Sequence, residues 1–248
     1  MSDKVQVSRA DGVLRLVLDR PDKKNALDRE MYRAMIGALE AARSDMDVRV
    51  VVFTSAAADF TAGNDLADFR DFLENPQDFP ALAFVRALAS FEKPMVAAVT
   101  GDAVGVGTTM LFHCDLVYAS PDARLRMPFI DLGLVPEAAA SLLVPRRVGM
   151  ARASQFLLLG EAFTGEEAFR LGVVNSLAPP EAVDATAMEA ARRLARKPAE
   201  ALLAARRLMR GDPAEILARI EEEAALFARA LSSPQARERL AAFFSRPK

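Results

Sequence analysis

Three short apolar runs, at positions 50–54, 95–100 and 116–119, restrict the folds open to this 248-residue chain more than any other feature. Each is almost free of polar interruption, which is the pattern of a strand covered on both faces, as in a parallel sheet held between helices. The intervening segments read accordingly. Met31, Tyr32, Met35, Ile36 and Leu39 fall on one helical face behind Asp28 as N-cap, and 81–91 is a second helical stretch. Near the start, Val5 and Val7 alternate with polar residues, Asp11-Gly12 makes a turn, and Leu14, Leu16 and Leu18 return, predicting a hairpin. Thr164 to Glu167 is a capping box for a short helix that stops at Gly172, and 173–177 reads as a small strand. From about residue 181 the pattern is helical, broken at Pro198, Gly211-Asp212-Pro213 and Pro234. The expectation is an α/β core followed by an α-helical C-terminal region.

Composition narrows the partners. Apolar residues make up 52% and charged residues 27%, the balance of a globular chain that needs no disulfide or metal staple at this length. A net charge of −2 lacks the basic footprint of a nucleic-acid binder. One cysteine, Cys114, and one histidine, His113, argue against a disulfide framework and a His/Cys metal site. The longest uncharged stretch, 103–114, is too short to span a bilayer, so no membrane partner is expected. The polar N-terminus does not read as a signal peptide, nor the final Arg-Pro-Lys as a peroxisomal tripeptide, which predicts a cytoplasmic protein.

Two glycine-containing loops, 60–66 and 101–107, each follow a buried strand. Glycine there lets the main chain approach a ligand closely, and two converging N–H groups form an oxyanion hole for a carbonyl that gains charge in reaction. The same spacing also fits plain strand-to-helix turns, and Thr109-Met110 stand where a dinucleotide fingerprint would need its third glycine. His113, between Phe112 and Cys114, reads as a core or helix-end residue and not as part of a hydrolytic triad. Glu137 follows a proline within the apolar stretch 132–141. Burial there would raise its pKa and suit it as a base, although a glutamate also favours a helix start. Asp131 is the reserve base, and Asp65 reads as a residue that holds its own loop.

Four segments in order, Arg-Pro-Asp-Lys-Lys-Asn-Ala-Leu at 20–27, Ala-Gly-Asn-Asp-Leu at 62–66, Thr-Gly-Asp-Ala-Val-Gly-Val-Gly at 100–107 and Cys-Asp-Leu-Val-Tyr-Ala-Ser at 114–120, resemble the crotonase superfamily (enoyl-CoA hydratase/isomerase). The resemblance covers nearly the whole chain. It implies an α/β, ClpP-like spiral core of repeated ββα units at 1–195, and a helical oligomerisation or lid region at 196–248. It also implies backbone oxyanion donors at Ala62 and Val106. Substrate or CoA contacts would come from Lys24, Asn25, Ala26, Gly63, Asp65, Leu66, Gly105 and Phe129. Thr109 and Phe129 stand where hydratases of the family carry two glutamates.

The stretches 62–69, 101–120 and 127–141 resemble instead the peroxisomal-type Δ3,Δ2-enoyl-CoA isomerases, whose single carboxylate lies in a Pro-Glu-Gly segment. That segment maps onto Pro136-Glu137-Ala138, with alanine in place of glycine. The implied reaction is a double-bond shift from 3-enoyl-CoA to 2-enoyl-CoA in fatty-acid β-oxidation. Glu137 would take a proton from C2 and return one at C4, in a homotrimer or hexamer, with no cofactor beyond the CoA of the substrate. The extra acyl-CoA-binding domain of the animal enzymes has no room in these residues. Three alternatives stay open: a hydratase using Glu137 on water, another crotonase chemistry through Asp131, and a non-catalytic acyl-CoA-binding subunit. Leu226, Phe227, Phe243 and Phe244 fit an intersubunit surface or a lid over their own chain.

Overall fold

A computed structural model describes residues 2–65, 67–68 and 80–244; Leu66 and the side chains of Phe243 and Phe244 lie outside the described residues. The hairpin forms as predicted. β1 (Val5–Ala10) and β2 (Val13–Leu18) pair antiparallel around Asp11 and Gly12, both at the positive φ that a two-residue hairpin turn requires. β3 (Val50–Ser55) and β4 (Met95–Val99) continue the sheet in parallel, β5 (Asp102–Val104) leaves it, and β6 (Leu116–Ala119) returns to it. β7 (Arg124–Arg126) and β8 (Phe163–Thr164) complete a second, three-stranded sheet with β5, and β9 (Ser176–Leu177) closes the first. The six-stranded order is β1-β2-β3-β4-β6-β9. Residues 101–107 are therefore more than a loop, because Asp102–Val104 turns out of one sheet and into another. The strand expected at 173–177 shrinks to its last two residues, since the Val173 and Val174 amides bond back to Ala168 O.

The helices are α1 (Arg29–Ser44), α2 (Pro80–Ser90), α3 (Val106–Thr109), α4 (Ala140–Val148), α5 (Met150–Leu157), α6 (Gly165–Arg170), α7 (Pro180–Ala195), α8 (Ala199–Arg210), α9 (Pro213–Leu231) and α10 (Pro234–Phe244). Asp28 caps α1 by accepting from Met31 N at 2.9 Å, and Thr164 and Glu167 form the reciprocal box at α6. Neither α4 nor α5 is expected from the sequence, because Pro145 lies inside the first and Gly149 separates the two.

Burial on both faces explains the continuous apolar runs. Successive strand residues point to opposite sides. Val50, Val52, Val96 and Ala98 thus meet Val183, Ala187 and Ala191 of α7, while Val51, Phe53 and Ala97 join the larger core with α1 and α2. Phe53 meets Phe84 edge-on there, with ring centroids 6.5 Å apart, and truncating such a side chain costs about 3–5 kcal/mol.

The C-terminal helices return to the body of the same chain. Arg206 and Arg210 of α8 both place Nε 2.9 Å from the Asp115 carboxylate, just ahead of β6. Ile216, Ile220 and Leu231 of α9 and Ala236 and Leu240 of α10 are buried in the main core. Leu226 is exposed on the other side of α9. Among the described residues no helix is long and apolar enough to cross a membrane.

Candidate active site

The two glycine loops meet. Thr61 and Ala103 form a parallel bridge, with Thr61 N donating to Asp102 O and Val104 N to Thr61 O, both at 3.0 Å. The contact is close enough to demand glycine. A Cβ on Gly63 would stand 2.6 Å from Val104 O, and one on Gly107 would stand 2.4 Å from Thr61 Cγ2.

Residues 20–27 brace the first loop from below. Asn25 is fully buried; its amide donates to Ser55 Oγ, Asp59 O and Phe60 O, and its Oδ1 accepts from Arg20 N. This corrects the expectation of a CoA contact: Asn25 is an internal staple whose side-chain and backbone polar groups are engaged within the protein. A second correction concerns Ala62. Its N–H donates to Lys24 O at 2.9 Å and is not free to hold an oxyanion. The bridge between Leu27 and Asn64 uses Gly63 O and Asp65 N, leaving the Asn64 N–H facing away from it. Among the described residues, neither the Asn64 N–H nor the Val106 N–H has a partner. Val106 is fully buried at the start of α3, and a buried backbone N–H without an acceptor is rare in a folded protein.

Asn64 also lines a cavity of about 190 Å³ between α2, α9 and the turn after Pro136. Leu82 and Val85 of α2 and Ile220, Ala224 and Phe227 of α9 make its wall apolar, so Phe227 covers its own chain's cavity. Its polar groups are Asn64, Glu137 and Glu223. The Tyr32 hydroxyl fixes the Asn64 side chain by donating to Oδ1. Glu137 accepts one hydrogen bond, from Thr109 Oγ1 to Oε1 at 2.6 Å. Burial pushes its carboxyl up to about 7, Thr109 pulls the other way, and the charge of Glu223 adds to the rise.

The turn that carries Glu137 is under tension. Ala138 and Ala139 have φ of 58° and 56°, a conformation that costs an L-residue roughly 1–2 kcal/mol. Alanine thus takes the shape for which the family's pattern has glycine. Two side chains hold it there. His113 Nε2 lies 2.8 Å from Ala138 O, and burial pushes the imidazole down to about 4, so it is neutral and donates to that carbonyl. The core reading of His113 therefore holds. Glu223, from α9, accepts from Ala139 N at 2.6 Å, Ser141 N at 2.9 Å and Ser141 Oγ at 2.5 Å. The sequence reading missed Glu223. The signal was a carboxylate on the same helical stripe as Ile216, Ile220 and Phe227, where an apolar residue belongs.

The remaining candidates lie apart from the cavity. Asp131 pairs with Arg126 at 2.9 Å on the surface, and Phe129 is buried without lining the cavity. Asp65 holds its loop as expected, accepting from Arg20 Nη1 at 2.6 Å and Ala67 N at 2.9 Å. Lys24 is exposed, with Nζ near Asp59 and Asp102 at 3.4 and 3.2 Å. Gly63 is buried with both backbone groups engaged, which makes it a packing position and not a ligand contact. Ala26 and Gly105 are half-buried, and Leu66 is outside the described residues. Among the described residues, no cluster of His, Cys, Asp or Glu could hold a metal ion.

Comparisons with known proteins identify the family and the fold. The profile of the family described as Enoyl-CoA hydratase/isomerase matches residues 8–248. The chain is 34% identical to Enoyl-CoA delta isomerase 2 of Rattus norvegicus over 225 residues, 88% of this chain but 57% of that one, so it spans little more than half of that relative. It is 33% identical to 2,3-dehydroadipyl-CoA hydratase of Escherichia coli K12 over 243 residues, 97% of this chain and 95% of that one. The solved structure of OdaA from Pseudomonas aeruginosa superposes with a TM-score of 0.93 at 44% identity, covering 99% of this chain and 100% of that one. The α/β core and helical C-terminal region are those of the crotonase fold. The chain belongs to the enoyl-CoA hydratase/isomerase family of the crotonase superfamily.

Proposed function

We propose that the protein is a Δ3,Δ2-enoyl-CoA isomerase with Glu137 as its single acid–base group. The observation that carries this reading is a lone under-bonded carboxylate facing an apolar cavity, with its pKa raised to about 7. The Val106 N–H holds the thioester oxygen, and the Asn64 N–H takes the second donor's place first expected of Ala62. Glu137 removes a proton from C2. The C2–H electron pair forms a C1=C2 bond as the thioester C=O electrons move onto oxygen. The resulting dienolate carries its charge on that oxygen, and its C1=C2 pair becomes the C2=C3 bond in the second step. The neutral Glu137 acid then delivers a proton to C4 as the C3=C4 bond opens, and the thioester carbonyl re-forms. No water enters the balance, which suits a cavity walled by Leu82, Val85 and Phe227. Losing one oxyanion donor costs about 3–4 kcal/mol in other enzymes, and these two N–H groups would carry much of the rate.

The acyl chain lies between α2 and α9, and CoA approaches past Lys24 and Ala26. No cofactor beyond that CoA is required. The protein works in the cytoplasm as a homotrimer or hexamer, and the exposed Leu208 and Met209 of α8 support a subunit interface.

The second reading is a hydratase, favoured by the E. coli hydratase that matches along nearly its whole length. Hydration needs one group to activate water and another to deliver a proton. Thr109 and Phe129 cannot serve, and Glu223 has both carboxylate oxygens engaged. Product analysis decides between the two readings. Isomerisation predicts conjugated 2-enoyl-CoA from 3-hexenoyl-CoA and no 3-hydroxyacyl-CoA from 2-hexenoyl-CoA. Rapid formation of 3-hydroxyacyl-CoA would overturn the isomerase.

A further inference from the structure

We infer that Glu223 is a positioning residue for Glu137, through which the C-terminal helix α9 holds the base toward the acyl cavity. The inference rests on the reading of Glu137 as the base. Glu223 is 4% exposed, and three donors engage its two oxygens: Ala139 N on Oε2, and Ser141 N and Oγ on Oε1. Most of its acceptor capacity is thus spent inside the protein, which fits a brace for the turn better than a group that takes a substrate proton. What it grips is the strained part of the site. Ala138 and Ala139 both sit at positive φ, and such turns persist only where the surroundings over-determine them. His113 holds Ala138 O from one side and Glu223 holds Ala139 N from the other. Arg219, one turn earlier on α9, adds a tie to Ser141 Oγ at 3.2 Å. Removing the grip lets the turn relax and carries the Glu137 carboxylate away from its approach to C2.

Glu223 also presents a like charge to Glu137 across the shared cavity, which adds to burial in raising the base. The other groups facing Glu137 are Thr109 of α3 and Tyr32 of α1, with Arg219 behind Ser141 and the neutral His113 beneath the turn.

Two variants separate reach from charge, with E137Q as the reference. Glu223→Gln keeps the length and loses the charge; Glu223→Asp keeps the charge but is one methylene too short to bond both Ala139 N and Ser141 N. Isomerase kinetics across pH are measured beside thermal melts. In both variants kcat should fall roughly ten- to hundredfold, with KM nearly unchanged. The acid limb of kcat/KM should move to lower pH in Glu223→Gln and stay in place in Glu223→Asp. A lower melting temperature with wild-type kcat and an unmoved limb would make Glu223 a merely structural tie and overturn the inference. Should neither variant fold, Ser141→Ala removes one donor while Glu223 keeps its bond to Ala139 N. A severalfold lower kcat is expected of it, and an unchanged one overturns the inference. Full activity in E137Q would overturn the base assignment and the positioning role together. An inactive E137Q beside a wild-type-like Glu223→Gln would overturn the positioning role alone.

Discussion

The turn at 136–141 and the helix α9 each bring one glutamate to the same cavity, and the two are treated oppositely. Glu137 receives one hydrogen bond and rises to about 7. Glu223 receives three, two of them from backbone N–H groups at the start of α4. Burial raises both carboxyls; Ser141, the Ala139 N–H and the Arg219 charge pull Glu223 back down, whereas Thr109 alone does so for Glu137. On the proposed reading the number of donors separates the base from the strut, the reacting group being the one left under-bonded.

Substitutions at either end of this contrast should break it. The largest expected effect is on the chemistry itself. Glu137→Gln should lower kcat for 3-hexenoyl-CoA by about 10²- to 10⁴-fold, the usual contribution of a positioned acid–base group, as read from the appearance of conjugated product. Retention of most activity would place the base elsewhere.

The same variant should be more stable than the wild type above neutrality. The folded value of Glu137 lies above its ordinary 4.5, so ionising it in place costs stability. That cost is absent below about pH 4.5, grows as pH rises, and is complete above about pH 7. It amounts to ~3 kcal/mol at most, and less where cavity water reaches the carboxylate. Melting curves at pH 5 and pH 8 should therefore show Glu137→Gln gaining on the wild type only at the higher pH. A gain that is equal at both would contradict the buried-charge account.

How much of this contrast can be read from the sequence depends on the range of the interaction. The sheet is legible because double-sided burial writes itself as unbroken apolar runs, and α1 because Asp28 and its apolar face lie within a few turns of each other. Glu137 stands out by its apolar neighbours alone. The Ala62 donor fails for a different reason. A motif names residues but not the direction in which an amide points, and that direction comes from pairing between Lys24 and Ala62, which are distant in the chain. Asn25 misleads likewise: a polar residue in a polar loop gives no sign that it will be buried as a staple. Glu223 is joined to its partners only by the return of α9, and a single carboxylate on an apolar stripe does not say what it will bind.

A smaller effect sharpens the comparison at its other end. Thr109→Val removes the single donor to Glu137, so the carboxyl should rise further. Activity at pH 7 should drop severalfold and recover toward the wild-type level at pH 9, and a loss equal at both would mean that Thr109 does not bond the reacting carboxylate. The smallest change concerns the strained turn. Ala138→Gly relieves the penalty of a positive φ but adds freedom to the unfolded chain, leaving a net gain under ~1 kcal/mol in thermal melts. A marked loss of stability would mean that the turn is not strained.

The central claim is that one carboxylate with a raised pKa performs both proton transfers, and the pH dependence of kcat/KM for wild-type isomerisation tests it most directly, because that quantity reports the free enzyme. The account predicts a single acid limb near pH 7, with activity rising as Glu137 ionises and level above it. A profile flat down to pH 5, or a bell requiring a second group in its protonated form, would contradict it.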